Sequence, residues 1–452
     1  MFRKIIAPLL ALLCFLLVIT SLYLGRSSLT WPSYSFISIG HNEAQASSIS
    51  PTSLKTKAKT TSTEVYVQSA ISSVAPSPTV SSPPTISNGT ILSADRISPY
   101  ISAILNPTAT VLPRLKCPAL NTQRYRPLQQ RNEIQEQIDY FFAVNLRNCK
   151  DILPRLLGSI VEAAQYLGVS RCALSIVEGN SADGTADVLS ALDPFLKELG
   201  LVYFLRQNTK IDPSKNARIK KLAQLRNLAL EPLVKNQVSA SDKTTVLFLN
   251  DVAACPDDIL ELALQRKILS ADMTCAMDWV YLGDHPTFYD VWVARTSKGD
   301  SFFKVGDDGN WNSAWNLFWN DPITRRRFDE NKPFQVFACW NGATAIGAGP
   351  ILHGQKFRES NPAECYQGEP TLFCKDLWHK GFRKIAVVPS VNLEYSDKRG
   401  TDIKELKGYV SNIVEHQTEE DNAIDWVFSP PEQVRCMPTW ESQGWRPWNE
   451  TL

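Results

Sequence analysis

Net charge is nearly absent from this chain: 47 Lys and Arg stand against 46 Asp and Glu, leaving +1. The basic footprint of a nucleic-acid binder is therefore missing, and no nucleic-acid partner is expected. Histidine is scarce, at 5 of 452 residues, and neither histidine nor cysteine falls into zinc-ligand spacing. The segment after the first strand-like run reads Asn-Leu-Arg-Asn-Cys-Lys-Asp (145–151), with no GxGxxG turn, and no Walker A motif occurs. Both glycine-cradle modes of nucleotide binding are excluded. No internal repeat is visible.

What is present begins with an uncharged run at residues 5–24, "IIAPLLALLCFLLVITSLYL", preceded by Arg3 and Lys4 and followed by Arg26. About 20 apolar residues span a bilayer core, whereas a secretory h-region usually holds only about 7–15. We read residues 1–4 as a cytosolic tail and 5–24 as a signal anchor of type II topology, with the bulk of the chain lumenal. A cleaved signal peptide is the alternative, and it puts the bulk in the same compartment. Residues 25–130 are rich in Ser, Thr and Pro in their first part and read as a flexible stem, which gains too little burial to offset its ordering entropy. One of the 10 Cys lies in the span, leaving nine in the lumenal part, so at least one is unpaired. Cys365 and Cys374 are close enough to form a pair; the rest of the connectivity stays open. Asn88 and Asn449 open glycosylation sequons.

With 44% hydrophobic residues and 12 Trp, the chain can build a sizeable core. From about residue 130 strand-like and helix-like runs alternate: 140–146, 172–178, 201–207 and 244–251 as strands, 152–168, 185–200, 218–234 and 256–269 as helices. This predicts an α/β domain, a Rossmann-type, mostly parallel sheet with helices on both faces. We divide it into a nucleotide-binding half, 131–270, and a less regular, Trp-rich acceptor half, 271–452. Ligands of such sheets bind beyond the carboxyl ends of the strands. Glu178 and Asp183 stand at one such end, and Asn250 and Asp251 at another. With glycine cradles excluded, a nucleotide-sugar site remains, in which carboxylates hold the nucleoside and a divalent metal offsets the diphosphate. Asp183 also suits capping of the helix that starts near Thr185. Asp257 and Asp258 read as first-turn helix charges.

"SIVEGNSADGT" (175–185), "LAQLRNLAL" (222–230) and "VLFLNDVAACPDDIL" (246–260) resemble segments of GT-A glycosyltransferases. In the order "FLNDV", "FYDVWVAR", "ACWNGATAI" and "ECYQGEPTLFCKDLW", behind an anchor and stem, the chain resembles the fungal capsule-associated α-1,3-mannosyltransferase family over roughly residues 135–400. The resemblance implies mannose transfer from GDP-mannose to a mannoside or glycan acceptor, with retention, in the Golgi membrane. It implies donor contacts at Glu178, Asp183, Arg226, Asn250, Trp340 and Gly342, with Trp340 stacking on a sugar face. Catalytic roles fall to Glu369 and Asp251, with Asp251 as ligand of Mn²⁺ or Mg²⁺, and acceptor contacts to Asp278, Trp279, Asp290 and Arg295. The sequence departs from DxD: only Asp251 remains in Leu249-Asn250-Asp251-Val252, so a further ligand is sought at Glu394 or Asp397, ahead of His379. Two alternatives stay open: a different donor, such as UDP-xylose or UDP-galactose, and a non-catalytic lumenal glycan-binding protein.

Overall fold

The first strand, β1 (Tyr140–Leu146), is apolar along almost its whole length because both of its faces are covered. Side chains alternate across a strand. Phe142, Val144 and Leu146 therefore enter one core layer, and Phe141 and Ala143 the other. The computed structural model describes residues 84–130 and 137–452, so the cytosolic tail, the anchor at 5–24 and the stem up to residue 83 lie outside the described residues. Among the described residues no helix is long and apolar enough to cross a membrane.

The first described helix is α1 (Ala94–Leu105), and it corrects the reading of 25–130 as stem. Ile97, Ile101 and Ile104 recur at helical spacing and are buried in the same layer as Phe142. Asp187 accepts the N–H groups of Thr90, Ile91 and Leu92, and Cys117 is disulfide-bonded to Cys255. At least from residue 90, this segment is part of the folded domain.

After β1 the chain alternates as expected: α2 (Leu153–Leu167), β2 (Cys172–Glu178), α3 (Thr185–Leu199), β3 (Val202–Arg206), α4 (Arg218–Val234), β4 (Thr245–Leu249) and α5 (Pro256–Ile268). Helices α2, α3 and α5 cover one face, and α4 covers the other. Then come β5 (Met273–Leu282), β6 (His285–Phe288), β7 (Arg295–Thr296), α6 (Pro322–Asp329), β8 (Phe334–Ala338), β9 (Ala343–Gly347), α7 (Ala348–Leu352), α8 (Glu369–His379), β10 (Ile385–Leu393) and α9 (Asp397–Lys407), with a closing hairpin of β11 (Gln433–Cys436) and β12 (Gly444–Pro447).

The main sheet has the order β3-β2-β1-β4-β9-β5-β10-β8-β7, with β6 beside β5. β9, β8 and β6 run against the others. One continuous sheet spans both proposed halves: β3, β2, β1 and β4 come from the first, and β9, β5, β10, β8 and β7 from the second, joined where β4 pairs with β9. β8 and β9, the strands at either end of "ACWNGATAI", do not pair with each other. β8 and β9 pair with different neighbours, and the link 339–342 carries the chain from one region of the sheet to another, past the end of β4.

Cysteine connectivity also departs from expectation. Cys365 is bonded to Cys436, not to Cys374, and a third disulfide joins Cys275 to Cys339. Cys374 is buried on α8, its thiol donating to the carbonyl of Cys339, while Cys365 lies in the preceding loop and faces the C-terminal hairpin. Cys149 and Cys172 are also free and buried.

Candidate active site

The register sets where polar groups emerge. Leu146 pairs with Glu178, and Leu249 pairs with Val144 and Ala343, so the turns after β1, β2 and β4 leave the sheet along one edge. On this edge the carboxylates of the β2 turn are occupied by local backbone. Glu178, 2% exposed, accepts from the N–H of Asn180 (3.1 Å) and Ser181 (2.6 Å). Asp183 accepts from the N–H of Thr185 and of Lys150 and from the Thr185 hydroxyl (3.0, 2.9 and 2.6 Å), pinning the start of α3 to the β1–α2 link. Between these turns and Asp251 sits Cys149, whose thiol is pushed well up first by burial, then by Asp251 and Asp183.

Asp251 is half-buried, and burial pushes its carboxyl up. No cation pairs with it among the described residues. Asn250 is tied to the 339–342 link at two points: its N–H donates to Gly342 O (2.8 Å) and its Oδ1 accepts from the indole of Trp340 (3.0 Å). Gly342 lies at φ +82°, where a side chain is strained, and a Cβ there would stand a tight 3.2 Å from Asp278 Cβ and 3.3 Å from Val252 Cγ1.

A second group of charges gathers around this link. Asp278, in the middle of β5, is fully buried; Tyr395 donates to its Oδ2 (2.6 Å), and its Oδ1 has no hydrogen-bond partner. Burial, then the charge of Asp290, pushes Asp278 well above the usual carboxylate range. Asp290 accepts from the N–H of Asn341 (2.7 Å) and is pushed up to about 6, chiefly by burial; Arg226 opposes this and Glu369 adds to it. Arg226 donates from Nε to Glu369 (2.8 Å), and its guanidinium lies 4.0 Å from the centre of the Trp340 ring. Glu369 opens α8 after Gly368 and is 2% exposed. Helix α4 presents Arg226, β5 presents Asp278, and α8 presents Glu369, from three distant parts of the sequence.

Of the sequence-derived residues, the structure thus brings Arg226, Asn250, Asp278, Asp290, Trp340, Gly342 and Glu369 together, with Asp251 at the adjacent strand end. Trp340 does not offer a ring face to solvent. It is 1% exposed, with Arg226 over its ring and Phe248 and Phe357 edge-on to it (5.1 and 5.5 Å), so it is the floor of the site and not a sugar-stacking surface. Trp279 is a core residue whose indole donates to Asn392 (2.8 Å); adjacent strand residues face opposite sides, so Asp278 and Trp279 do not share one cleft. Arg295 is also core, donating to the carbonyls of Arg435, Val291 and Ala294. Both are buried, at 3% and 0% exposure. Asn341, Tyr395 and Tyr289, whose ring meets Tyr395 edge to face at 5.1 Å, were missed. Tyr395 directly follows Glu394 at the end of β10, one residue inside a strand-end cluster already singled out, and that position was the available signal.

The further metal ligands are otherwise engaged. Glu394 accepts from the N–H and hydroxyl of Ser396 (2.7 and 3.0 Å), and Asp397 from the N–H of Leu115 (2.7 Å). Among the described residues no three His, Cys, Asp or Glu gather as a cation cage. Asp251, unpaired and desolvated, suits a cation held by one carboxylate together with substrate phosphates and water, the usual manner of Mg²⁺. Asn88 and Asn449 are both exposed.

A family model described as Cryptococcal mannosyltransferase 1 matches residues 139–376. The Alpha-1,3-mannosyltransferase CMT1 of Cryptococcus neoformans var. neoformans serotype D (strain JEC21 / ATCC MYA-565) is 35% identical over 359 residues, covering 73% of this chain and 75% of that protein. Among solved structures, the mannosyltransferase PcManGT from Pyrobaculum calidifontis in complex with GDP-Man and Mn²⁺ is 11% identical at a TM-score of 0.35, covering 63% of this chain and 66% of that one. S. aureus TarS 1-349 in complex with UDP-GlcNAc is 15% identical at a TM-score of 0.33, covering 57% of this chain and 58% of that one.

Proposed function

This chain belongs to the cryptococcal mannosyltransferase 1 family and is a glycosyltransferase, and we propose that it moves mannose from GDP-mannose to a mannoside or glycan acceptor, forming an α-1,3 linkage with retention of configuration. The observation that carries this reading is the convergence of Arg226, Glu369, Asp278 and Asp290 on the 339–342 link, next to Asp251. A sugar diphosphate needs cationic N–H donors at one end and acceptors for hydroxyls at the other. Arg226 supplies the first: Glu369 holds its Nε, Trp340 lies under its plane, and both Nη groups have no protein partner among the described residues. Preset in this way, the guanidinium stabilises the charge that grows on the departing phosphate without reorganising. Asp290, partly exposed, accepts from sugar hydroxyls. A divalent cation held by Asp251 would supply further neutralisation of the diphosphate. In a retaining reaction the departing phosphate accepts the acceptor proton, and Glu369 serves as the anchor of Arg226.

The setting we propose is a single-pass type II Golgi membrane protein with its catalytic domain lumenal. Three disulfides support an oxidising compartment. Removal of N-glycans from the chain made in a eukaryotic cell should raise its gel mobility, through Asn88 and Asn449; unchanged mobility would speak against lumenal exposure.

The test of function is incubation of the detergent-solubilised full chain with a panel of nucleotide sugars and mannosides, with and without chelator. We expect turnover with GDP-mannose, an α-configured product by NMR, and loss of activity on chelation. Turnover only with a UDP-sugar would move the donor assignment, and binding of mannosides without turnover of any donor would replace the enzyme reading with a glycan-binding one.

A further inference from the structure

Next to Glu369 begins a row of partly buried tryptophans that the reaction just described does not use. Trp292 lies against Gly368, its Cδ1 3.7 Å from the place of a Cβ there. Trp440 meets Trp292 edge to face at 4.9 Å and 85°, and Trp311 meets Trp440 at 5.2 Å and 82°. None of the three is fully buried, although full burial would remove far more apolar area from water.

The row is held firmly. The backbone at Gly309, φ +80°, runs so close to Trp440 that a Cβ would stand 2.8 Å from the Trp440 Cβ. Gln443 donates to the carbonyls of Gly306 and Trp440 (2.8 and 2.7 Å), and the N–H of Arg435 donates to Gly299 (2.7 Å), so the C-terminal hairpin is fixed to the loop that carries Trp311. On its other side the Cys365–Cys436 disulfide ties the hairpin to the segment leading into Glu369. Asp307 and Asp308, both exposed, directly precede Gly309, the residue packed on Trp440, and Asp308 accepts from the N–H of Asn310 (3.1 Å).

Rigid, clustered aromatic rings left in contact with water mark a binding surface. Pyranose rings fit such a surface: their C–H faces lie on indole rings while their hydroxyls reach acceptors such as carboxylates at the rim. We propose that Trp292, Trp440 and Trp311 form a platform for the acceptor glycan, binding sugar units beyond the one that receives mannose. This rests on the reading of the chain as a mannosyltransferase.

The platform is tested with the full chain in detergent, GDP-mannose as donor, and two acceptors: methyl α-mannoside and a linear mannotetraose. Trp311→Ala should raise KM for the tetraose about tenfold, the scale of one lost aromatic contact, while the loss with methyl mannoside is much smaller. Trp311→Phe should recover most of it. Equal losses on both acceptors, or none on the tetraose, would overturn the platform. Should the unaltered chain transfer to neither acceptor, the functional reading fails on its own, and tryptophan fluorescence decides the platform separately: saturable quenching by mannotetraose, lost in Trp311→Ala, upholds it, and absence of quenching in the unaltered chain refutes it.

Discussion

Two groups of carboxylates, one in the β2 turn and one around the 339–342 link, are built on opposite principles. In the β2 turn Glu178 and Asp183 face backbone N–H groups, which they accept within their own or a neighbouring turn. Around the 339–342 link Asp278, Asp290 and Glu369 face one another, one arginine and one tyrosine. The first arrangement satisfies each negative charge at the point where the chain turns. The second leaves negative charge desolvated and mutually repelling, which costs free energy in the free protein and is offset when a ligand brings donors. Strained electrostatics of the second kind concentrate at functional sites. The same residue type in one fold therefore does two jobs, and its partners tell which.

The largest effect that would break this comparison is expected at the Arg226–Glu369 pair. Glu369→Ala leaves Arg226 without its carboxylate, at 12% side-chain exposure. We expect mannose transfer to fall by at least about 100-fold, as for loss of a preset electrostatic group, and stability to fall by about 3 kcal/mol in urea denaturation, since one partner of a buried pair remains. The double replacement Arg226→Met with Glu369→Leu should regain stability, because packed apolar residues often replace a buried pair without loss, yet stay inactive. A double variant that transfers mannose as the parent does would remove the pair from the reaction.

Next in size is the pH dependence of Asp290. Its carboxyl is pushed up to about 6, against about 3.9 in an unfolded chain. Between those values the folded state binds more protons than the unfolded one, so this group's contribution to stability is fully present below about 4 and is lost as pH rises toward about 6, with no further change above. Asp290→Asn keeps an oxygen for the Asn341 N–H and removes the titration. Its urea midpoint should fall less steeply than that of the parent between pH 4 and 6, and exceed it at pH 7. Parallel profiles would show that Asp290 is not desolvated, and the contrast between the two groups would narrow to Asp278.

How much of this could be read from the sequence follows from the range of each interaction. Strands β1 to β4 and the helices between them were legible because burial on both faces writes a continuous apolar run, and one buried face writes helical spacing. Strand ends were legible with them, and so were Asp251 and the β2 turn. The position of β9 between β4 and β5 was not, since pairing between residues about a hundred positions apart leaves no local trace. That insertion is what brings Asn341 to Asp290 and Gly342 to Asn250. Arg295 and Trp279 were misread for a related reason: a charge or an indole deep in the fold can be satisfied by carbonyls or an amide supplied from elsewhere. The helix at 94–105 was legible in principle. Its isoleucines recur at 97, 101 and 104, and only the Ser, Thr and Pro around it masked the pattern.

The smallest expected effect on activity, and the one that sharpens the comparison most, is at Glu178. Glu178→Gln retains one acceptor oxygen and turns an amide NH₂ toward a second backbone N–H, in a site 2% exposed. One buried donor loses its partner, at a cost of about 1–3 kcal/mol, and the urea midpoint should fall accordingly. If the carboxylate serves the turn, kcat and the KM for GDP-mannose should stay within about twofold, since the amide preserves shape and half of the hydrogen bonding. A rise in KM beyond tenfold with an unchanged urea midpoint would show the reverse: the turn tolerates the amide, and the missing charge belonged to a ligand. In that event Glu178 would move from the first group of carboxylates to the second, and the β2 turn would have to be counted as part of the donor site despite its satisfied backbone.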